Sequence, residues 1–373
     1  MEKFRTFEDP ATGIMPFMPH KAVVPKNILF RFVRGIIGLL LALLRLPFLL
    51  LLTVLLGVGS TTAGLVPVAA VRRPLVRLID GTCCRILLFV LGFYWIPAGY
   101  LKKRAVSVGK VAKANQAKWP PLSTAVSGAV IVSTLTSYVD ILYLAFRFSP
   151  VFAFPVHDPK GASATGKVVA MGTFGAIGQV ASCATLHELR GVDISELVAK
   201  CESQGLGPVI IFAEGVSSNG RGILPFLRPV SPSAGTEGAG LEGQAWQKGR
   251  TPDTFALVIR YPFKYFSPTY TVGSLLAHCL FGVCWQFYNS MEVSFLDDKA
   301  TELKAGDQAL TPSARAGGAW SDRVREAMLS AASSPKVPVR AVVPRAGVTN
   351  LGTSQTLSAL QVKRLFRDAW AKS

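Results

Sequence analysis

Two polar turns hold most of the side chains in this sequence that could do chemistry. The first, "STLTSYVD" (Ser133–Asp140), follows the apolar run "GAVIVS" and offers hydroxyls and one acid, Asp140. The second, "AEGVSSNGRGIL" (Ala213–Leu224), follows "GPVIIF". It combines a carboxylate (Glu214), the glycines Gly215 and Gly220, the hydroxyls of Ser217 and Ser218, the amide of Asn219 and the guanidinium of Arg221. Glycines let backbone N–H groups approach a ligand, and a guanidinium pairs with phosphate oxygens, so this set suits a phosphate or phosphate ester. The plainer alternative is a Gly-rich turn that only redirects the chain. A catalytic turn of the first kind would present a general base, but Leu135 stands where that base is expected.

Both turns need rigid elements to hold them. "GAVIVS" (Gly128–Ser133), "PVFAFPV" (Pro150–Val156), "GPVIIFAEG" (Gly207–Gly215), "TFALVIRYP" (Thr254–Pro262) and "MEVSFL" (Met291–Leu296) are short, continuously apolar runs bounded by turn residues. Such runs predict strands of an α/β sheet covered on both faces. Helices are predicted through Tyr138–Phe146 and over "DISELVAKCESQG", where Asp193 and Glu196 form a capping-box pattern and Gly205 marks the end. Trp320–Ala332 and the basic stretch Ser358–Trp370 predict two C-terminal helices, and 229–254, rich in Gly, Ser and Pro, predicts a loop. In open α/β sheets ligands bind beyond the carboxyl ends of the strands, where both polar turns fall. "GTFGAIG" (Gly172–Gly178) lacks nucleotide-loop spacing and reads as small residues packed in a helix.

Composition points to a membrane. Half of the residues are hydrophobic and 17% are charged, against about 25% charged in soluble globular chains. The net charge of +18 would suit nucleic acid or an anionic membrane. The basic residues are scattered, and no zinc-finger, RNP or basic-zipper pattern is present, so no nucleic-acid partner is expected. From Gly35 to Val71 the only charge is Arg45. The uncharged run from Leu46 to Val71 is about 26 residues, more than the roughly 20 that a spanning helix needs. Basic residues on both flanks (Lys21, Lys26, Arg31 and Arg34; Arg72, Arg73 and Arg77) predict a hairpin with its turn near Gly57–Gly64; a single span over Leu46–Val66 is the alternative. Arg45 would snorkel from a shallow helix. Ile86–Ala98 and Val272–Phe287 are too short to span and predict interfacial segments. The six cysteines show no Cys-x-x-Cys pair and no metal-ligand spacing, which predicts reduced, buried thiols; Cys83 and Cys84, beside the apolar run, are candidates for palmitoylation. The predicted organisation is a cytosolic segment (1–27), a membrane-anchoring region (28–101), an α/β domain (102–300) and a helical C-terminal region (301–373).

"FAEGVSSNGRG" (Phe212–Gly222) resembles the F-P-E-G-T-x-S block of the glycerophospholipid acyltransferases, and "STLTSYVD" resembles their N-H-x-S-x-x-D block. The spacing of the blocks, the strand before each and the later "VIRYP" fit that family, and the opening "MEKFRTFEDPATGIMPFMP" is similar to that of its fungal members. The resemblance covers roughly residues 1–20 and 85–300. It implies an acyltransferase-like mixed sheet flanked by helices. It also implies acyl transfer from acyl-CoA, as co-substrate, to a lysophospholipid such as lysophosphatidic acid, with no bound cofactor and no metal. An endoplasmic-reticulum membrane or lipid-droplet surface, with the catalytic domain in the cytosol, follows from the same resemblance.

Carried over by position, Asp140 and Ser137 match the catalytic block, and Glu214, Gly215 and Ser218 match the phosphate block, with Ser217, Asn219 and Arg221 beside them. This chain departs from the pattern at Thr134, Leu135, Ala213 and Val216, and His187 is the nearest candidate for the family's middle basic block. In the family the motif histidine deprotonates the acceptor hydroxyl, help typically worth about 10²–10⁴-fold. With Leu135 in its place three routes are open. His157, after the strand at 150–156, could substitute; the substrate phosphate, held by Arg221 or Lys160, could take the proton; or the fold could bind lipid without catalysis.

Overall fold

The computed structural model describes residues 2–9, 12–101, 127–157, 164–184, 186, 191–226, 254–296, 324–325, 328–329, 340–341 and 359–371. His187, Lys160 and nearly all of 229–254 lie outside the described residues. The elements are α1 (Ile28–Gly64), α2 (Ala69–Val90), β1 (Ala98–Leu101), β2 (Val130–Ser133), α3 (Tyr138–Phe148), β3 (Val151–His157), β4 (Ala164–Met171), α4 (Thr173–Ser182), β5 (Val192–Asp193), α5 (Ile194–Ser203), β6 (Val209–Phe212), β7 (Gly222–Ile223), β8 (Thr254–Arg260), β9 (Glu292–Leu296), β10 (Arg340–Ala341) and α6 (Ala359–Ala371). A 3-10 helix covers Glu2–Phe7, and a π-helical segment covers His278–Val283.

Eight strands form one mixed sheet in the order β1-β9-β8-β2-β6-β3-β4-β5. At its centre β8, β2, β6 and β3 run parallel, while β4, β5 and β9 include antiparallel pairings. Alternate residues of each central strand enter different cores. Ile131, Ile210, Phe212, Leu257 and Ile259 pack with α2, α3 and α4. Val130, Val132, Val209, Ile211, Ala256 and Val258 pack with α5 and with Val324 and Met328. Successive side chains leave a strand on opposite faces. A strand buried on both faces must therefore be apolar along its length, as these are apart from end residues such as Ser133 and Arg260. The predicted strands thus recur as β2, β3, β6, β8 and β9. β1, within the segment assigned to the anchor, adds a further strand by pairing with β9.

The N-terminal helices layer outward: α3 lies on the sheet, α2 on α3, and α1 on α2. The predicted turn at Gly57–Gly64 is not formed there. The helix continues through this stretch, where the hydroxyls of Ser60, Thr61 and Thr62 find acceptors in carbonyls one turn earlier, and the chain reverses over 65–68 instead. α1 is long and apolar enough to cross a membrane. It buries a single stripe, Gly38, Ala42, Arg45, Leu52, Leu56 and Ala63, and leaves Leu40, Leu44, Leu50, Val54 and many other apolar side chains exposed. Arg45 does not snorkel. It is 5% exposed, and its guanidinium donates to Cys284 O (3.0 Å), Gln286 O (2.7 Å), Phe287 O (3.1 Å) and Tyr94 Oη (3.0 Å). Gly38 permits the same docking, because a Cβ there would meet the Trp285 indole at 2.2 Å.

Further expectations change. Ile86–Ala98 is not interfacial along its length: Leu87, Leu88, Leu91 and Phe93 are core residues at the end of α2 and just beyond it. The basic residues of α2 face protein as well, since Arg73 donates to Ser149 O and Phe148 O, and Arg72 to Gln204 O. Val272–Phe287 forms a short α-turn and the π-helical segment, with Leu276, Phe281 and Phe287 exposed. Asp193 is the N-cap of α5, but its side chain makes no capping hydrogen bond. Cys84 is a core residue and Cys83 is half-buried, so Cys84 offers no thiol to a modifying enzyme.

Candidate functional site

β2 and β6 are parallel neighbours with Ser133 opposite Phe212, so both polar turns leave the sheet at the same edge. They are joined there by a hydrogen bond from Ser218 N to Leu135 O (3.0 Å). Thr134 is tied to β8 instead: its N–H donates to Leu257 O, and its Oγ1 accepts from Ile259 N. The chain beyond β8 closes over the first turn, with Tyr270 N donating to Thr136 O (2.9 Å) and Ser137 Oγ to Pro268 O (2.7 Å).

Ser137 is the N-cap of α3 and forms a capping box with Asp140. Asp140 is wholly buried. Its Oδ2 accepts from Thr136 N (2.6 Å), Thr136 Oγ1 (3.0 Å) and Ser137 N (2.9 Å), and its Oδ1 from Tyr261 Oη (2.5 Å). Burial raises its pKa to about 6, opposed by these four donors. None of the four is a base. The carboxylate that would orient a histidine at position 135 therefore holds the turn to α3 and β8. Leu135 is buried and lines a small void of ≈ 10 Å³, room for about one water, with Phe154, Gln179, Cys183, Val216 and Ser217.

The second turn is buried too. Glu214 accepts from Leu224 N (2.9 Å) and from the Leu135 backbone, and burial pushes its pKa up to about 8. Gly215 and Gly220 take φ of 69° and 72°, a region that favours glycine. Asn219 is held by the N-terminal segment: its Nδ2 donates to Met15 O (2.8 Å) and Met18 O (2.9 Å), and its N–H to Pro16 O (2.8 Å). The His20 ring lies with Nε2 at 2.7 Å from Asn219 O, and burial lowers its pKa. Ser217 Oγ meets Lys363 Nζ of α6 at 2.5 Å. Phe4, Phe7 and Phe17 pack with Val362 and Phe366 over Val216 and Leu224, so both terminal segments roof the turn. Of the expected phosphate ligands, Arg221 alone is exposed.

The remaining candidates are less central. His157 ends β3, which runs parallel to β6, so its backbone reaches the same edge. His278 packs between Tyr138, Tyr270 and Phe266, and burial lowers its pKa to about 4. No group of three or more metal-ligating side chains occurs among the described residues. Sequence reasoning missed Tyr261, His20 and Lys363. Tyr261 lies inside "VIRYP", which does mark the family resemblance, whereas nothing local singles out Lys363 in a basic helix.

Comparison with known proteins supports the resemblance. Over 226 residues the chain is 26% identical to a Schizosaccharomyces pombe protein named, provisionally, as a lysophosphatidic acid:oleoyl-CoA acyltransferase; the match covers 61% of this chain and 67% of that one. Over 222 residues it is 28% identical to a lysophospholipid acyltransferase of Arabidopsis thaliana, covering 56% of this chain and 49%, about half, of the relative. No family model and no solved structure matches. The similarity to lysophospholipid acyltransferases thus extends over more than half of the chain and well beyond the two blocks.

Proposed function

We propose that this chain is a membrane-bound, acyl-CoA-dependent lysophospholipid acyltransferase that converts lysophosphatidic acid to phosphatidic acid. The observation that carries the reading is the junction of the two turns at one sheet edge, tied by the Ser218–Leu135 hydrogen bond. The acyl group passes from the thioester to the acceptor hydroxyl there, and the oxyanion is stabilised by backbone N–H groups of the turns. Arg221, exposed at the rim, takes the lysolipid phosphate, on the backbone cradle set by Glu214, Gly215, Ser218 and Asn219. Asp140 and Ser137 position the turn. The apolar outer surface of α1 supports embedding in a bilayer or droplet monolayer, with the α/β domain on the cytosolic side of the endoplasmic reticulum.

A second reading is a lipid-binding protein without catalysis. Its support is specific: Leu135 replaces the base, and the Asp140 carboxylate is fully engaged by other donors. Purified full-length protein in detergent, given labelled oleoyl-CoA and lysophosphatidic acid, decides between them. Transfer above the blank that falls when Arg221→Ala is introduced supports the enzyme. No transfer to any lysophospholipid sinks it.

A further inference from the structure

Lys363 has the setting of a reactive amine. It is 0% exposed, and its Nζ lies 2.8 Å from Ser217 O and 2.5 Å from Ser217 Oγ. No carboxylate lies within ion-pair distance of it among the described residues. A buried ammonium without a counter-ion is costly. Burial lowers the Lys363 pKa, opposed by the Cys183 thiol and, less strongly, by Glu214. Ser217 and Leu135, the position where the resemblance would place the missing base, line the same water-sized void. A neutral amine hydrogen-bonded to a serine hydroxyl is the activated nucleophile of Ser–Lys enzymes.

We propose that Ser217 and Lys363 form a nucleophilic dyad that carries the acyl group as an ester on Ser217 during transfer. This rests on the acyltransferase reading for its acyl donor and acceptor. Ser217 Oγ attacks the thioester carbonyl while its proton passes to the amine of Lys363. The C–S bond breaks, and the CoA thiolate leaves with that proton. The lysophospholipid hydroxyl then attacks the Ser217 ester. Its proton goes to Lys363 and on to Ser217 Oγ as the ester C–O bond breaks, which restores the dyad. No proton acceptor is then needed at position 135. Ser217 is 1% exposed and Phe17 lies over Lys363 Nζ, so the N-terminal segment must move aside before a thioester can reach the dyad.

The test is acyl-enzyme formation by the full-length protein in detergent with oleoyl-CoA and no acceptor. Intact-mass analysis should show one acyl adduct, mapped to Ser217 and resistant to neutral hydroxylamine. Ser217→Ala should abolish it. Lys363→Met should slow it by about 10²–10⁴-fold, the range for lost general-base help, and, because Ser217 O loses its donor, should lower the thermal midpoint without abolishing the unfolding transition. Lys363→Arg should not rescue it, because a guanidinium stays protonated. If Ser217→Ala fails to fold, Ser217→Cys serves, with an adduct that hydroxylamine removes. Undiminished transfer by Ser217→Ala with no wild-type adduct overturns the dyad and leaves the acyltransferase reading standing. A hydroxylamine-labile wild-type adduct on Cys183 also overturns the dyad. An adduct on Ser217 that passes to no lysophospholipid keeps the dyad and refutes the acyltransferase reading. Neither adduct nor transfer refutes both.

Discussion

Replacing Arg45 by methionine separates two accounts of the charge in α1 by the sign of the effect. If Arg45 sat in lipid, removing it would relieve about 2.5–3.5 kcal/mol of insertion cost. In the structure its guanidinium instead satisfies three backbone carbonyls and the Tyr94 hydroxyl. Methionine fills much of the same space but donates nothing. Each carbonyl left buried without a partner costs about 1–3 kcal/mol. Phe287 is itself 71% exposed, so water can reach its carbonyl more readily than that of Cys284. The expected net loss is about 3–5 kcal/mol, similar to removing one partner from a buried ion pair. That corresponds to a fall of roughly 4–6 °C in thermal midpoint for a chain of this length. The assay is thermal unfolding in detergent beside limited proteolysis at 284–288, where cleavage should quicken. Arg45→Lys should recover only part of the loss, since an ammonium lacks the planar fork that reaches four acceptors. A methionine variant with an unchanged or raised midpoint and unchanged proteolysis would refute the docking role of Arg45.

Three other perturbations test the site. Glu214 has a folded pKa raised from 4.5 to about 8, so its contribution to stability is full below about pH 4.5 and is lost as pH rises through about 8. The span is on the order of 5 kcal/mol; the thermal midpoint should fall between about pH 5 and pH 9, and Glu214→Gln should flatten that fall, an equal slope in both proteins being the contrary result. Tyr261→Phe removes one donor from a buried carboxylate, which should cost about 1–3 kcal/mol and raise the Asp140 pKa further; denaturation at two pH values measures both. Leu135→His should change transfer less than about threefold, because Asp140 is already engaged and cannot orient an imidazole; a gain approaching the 10²-fold of an oriented base would contradict this.

Much of this protein is written locally. The central strands are apolar between their ends because both of their faces are covered, and that pattern is visible before any fold is known. The length and hydropathy of α1, the cap at Ser137 and the glycines at 215 and 220 are equally local. The two blocks are legible because strand, turn and helix start are set by near neighbours in the chain. What surrounds them is not. Arg45 reads as a membrane charge until the carbonyls at 284–287 are beside it. The partner of Ser217 lies 146 residues away and that of Asp140 lies 121 residues away, distances over which no sequence period carries information. The sequence by itself determined the central strands, the apolar helix and the leucine at position 135. Only the tertiary structure decided that Asp140 is engaged by Tyr261, that the terminal segments roof the second turn, and that a lysine meets its serine, because hydrogen bonds to buried groups are chosen by strand order and packing.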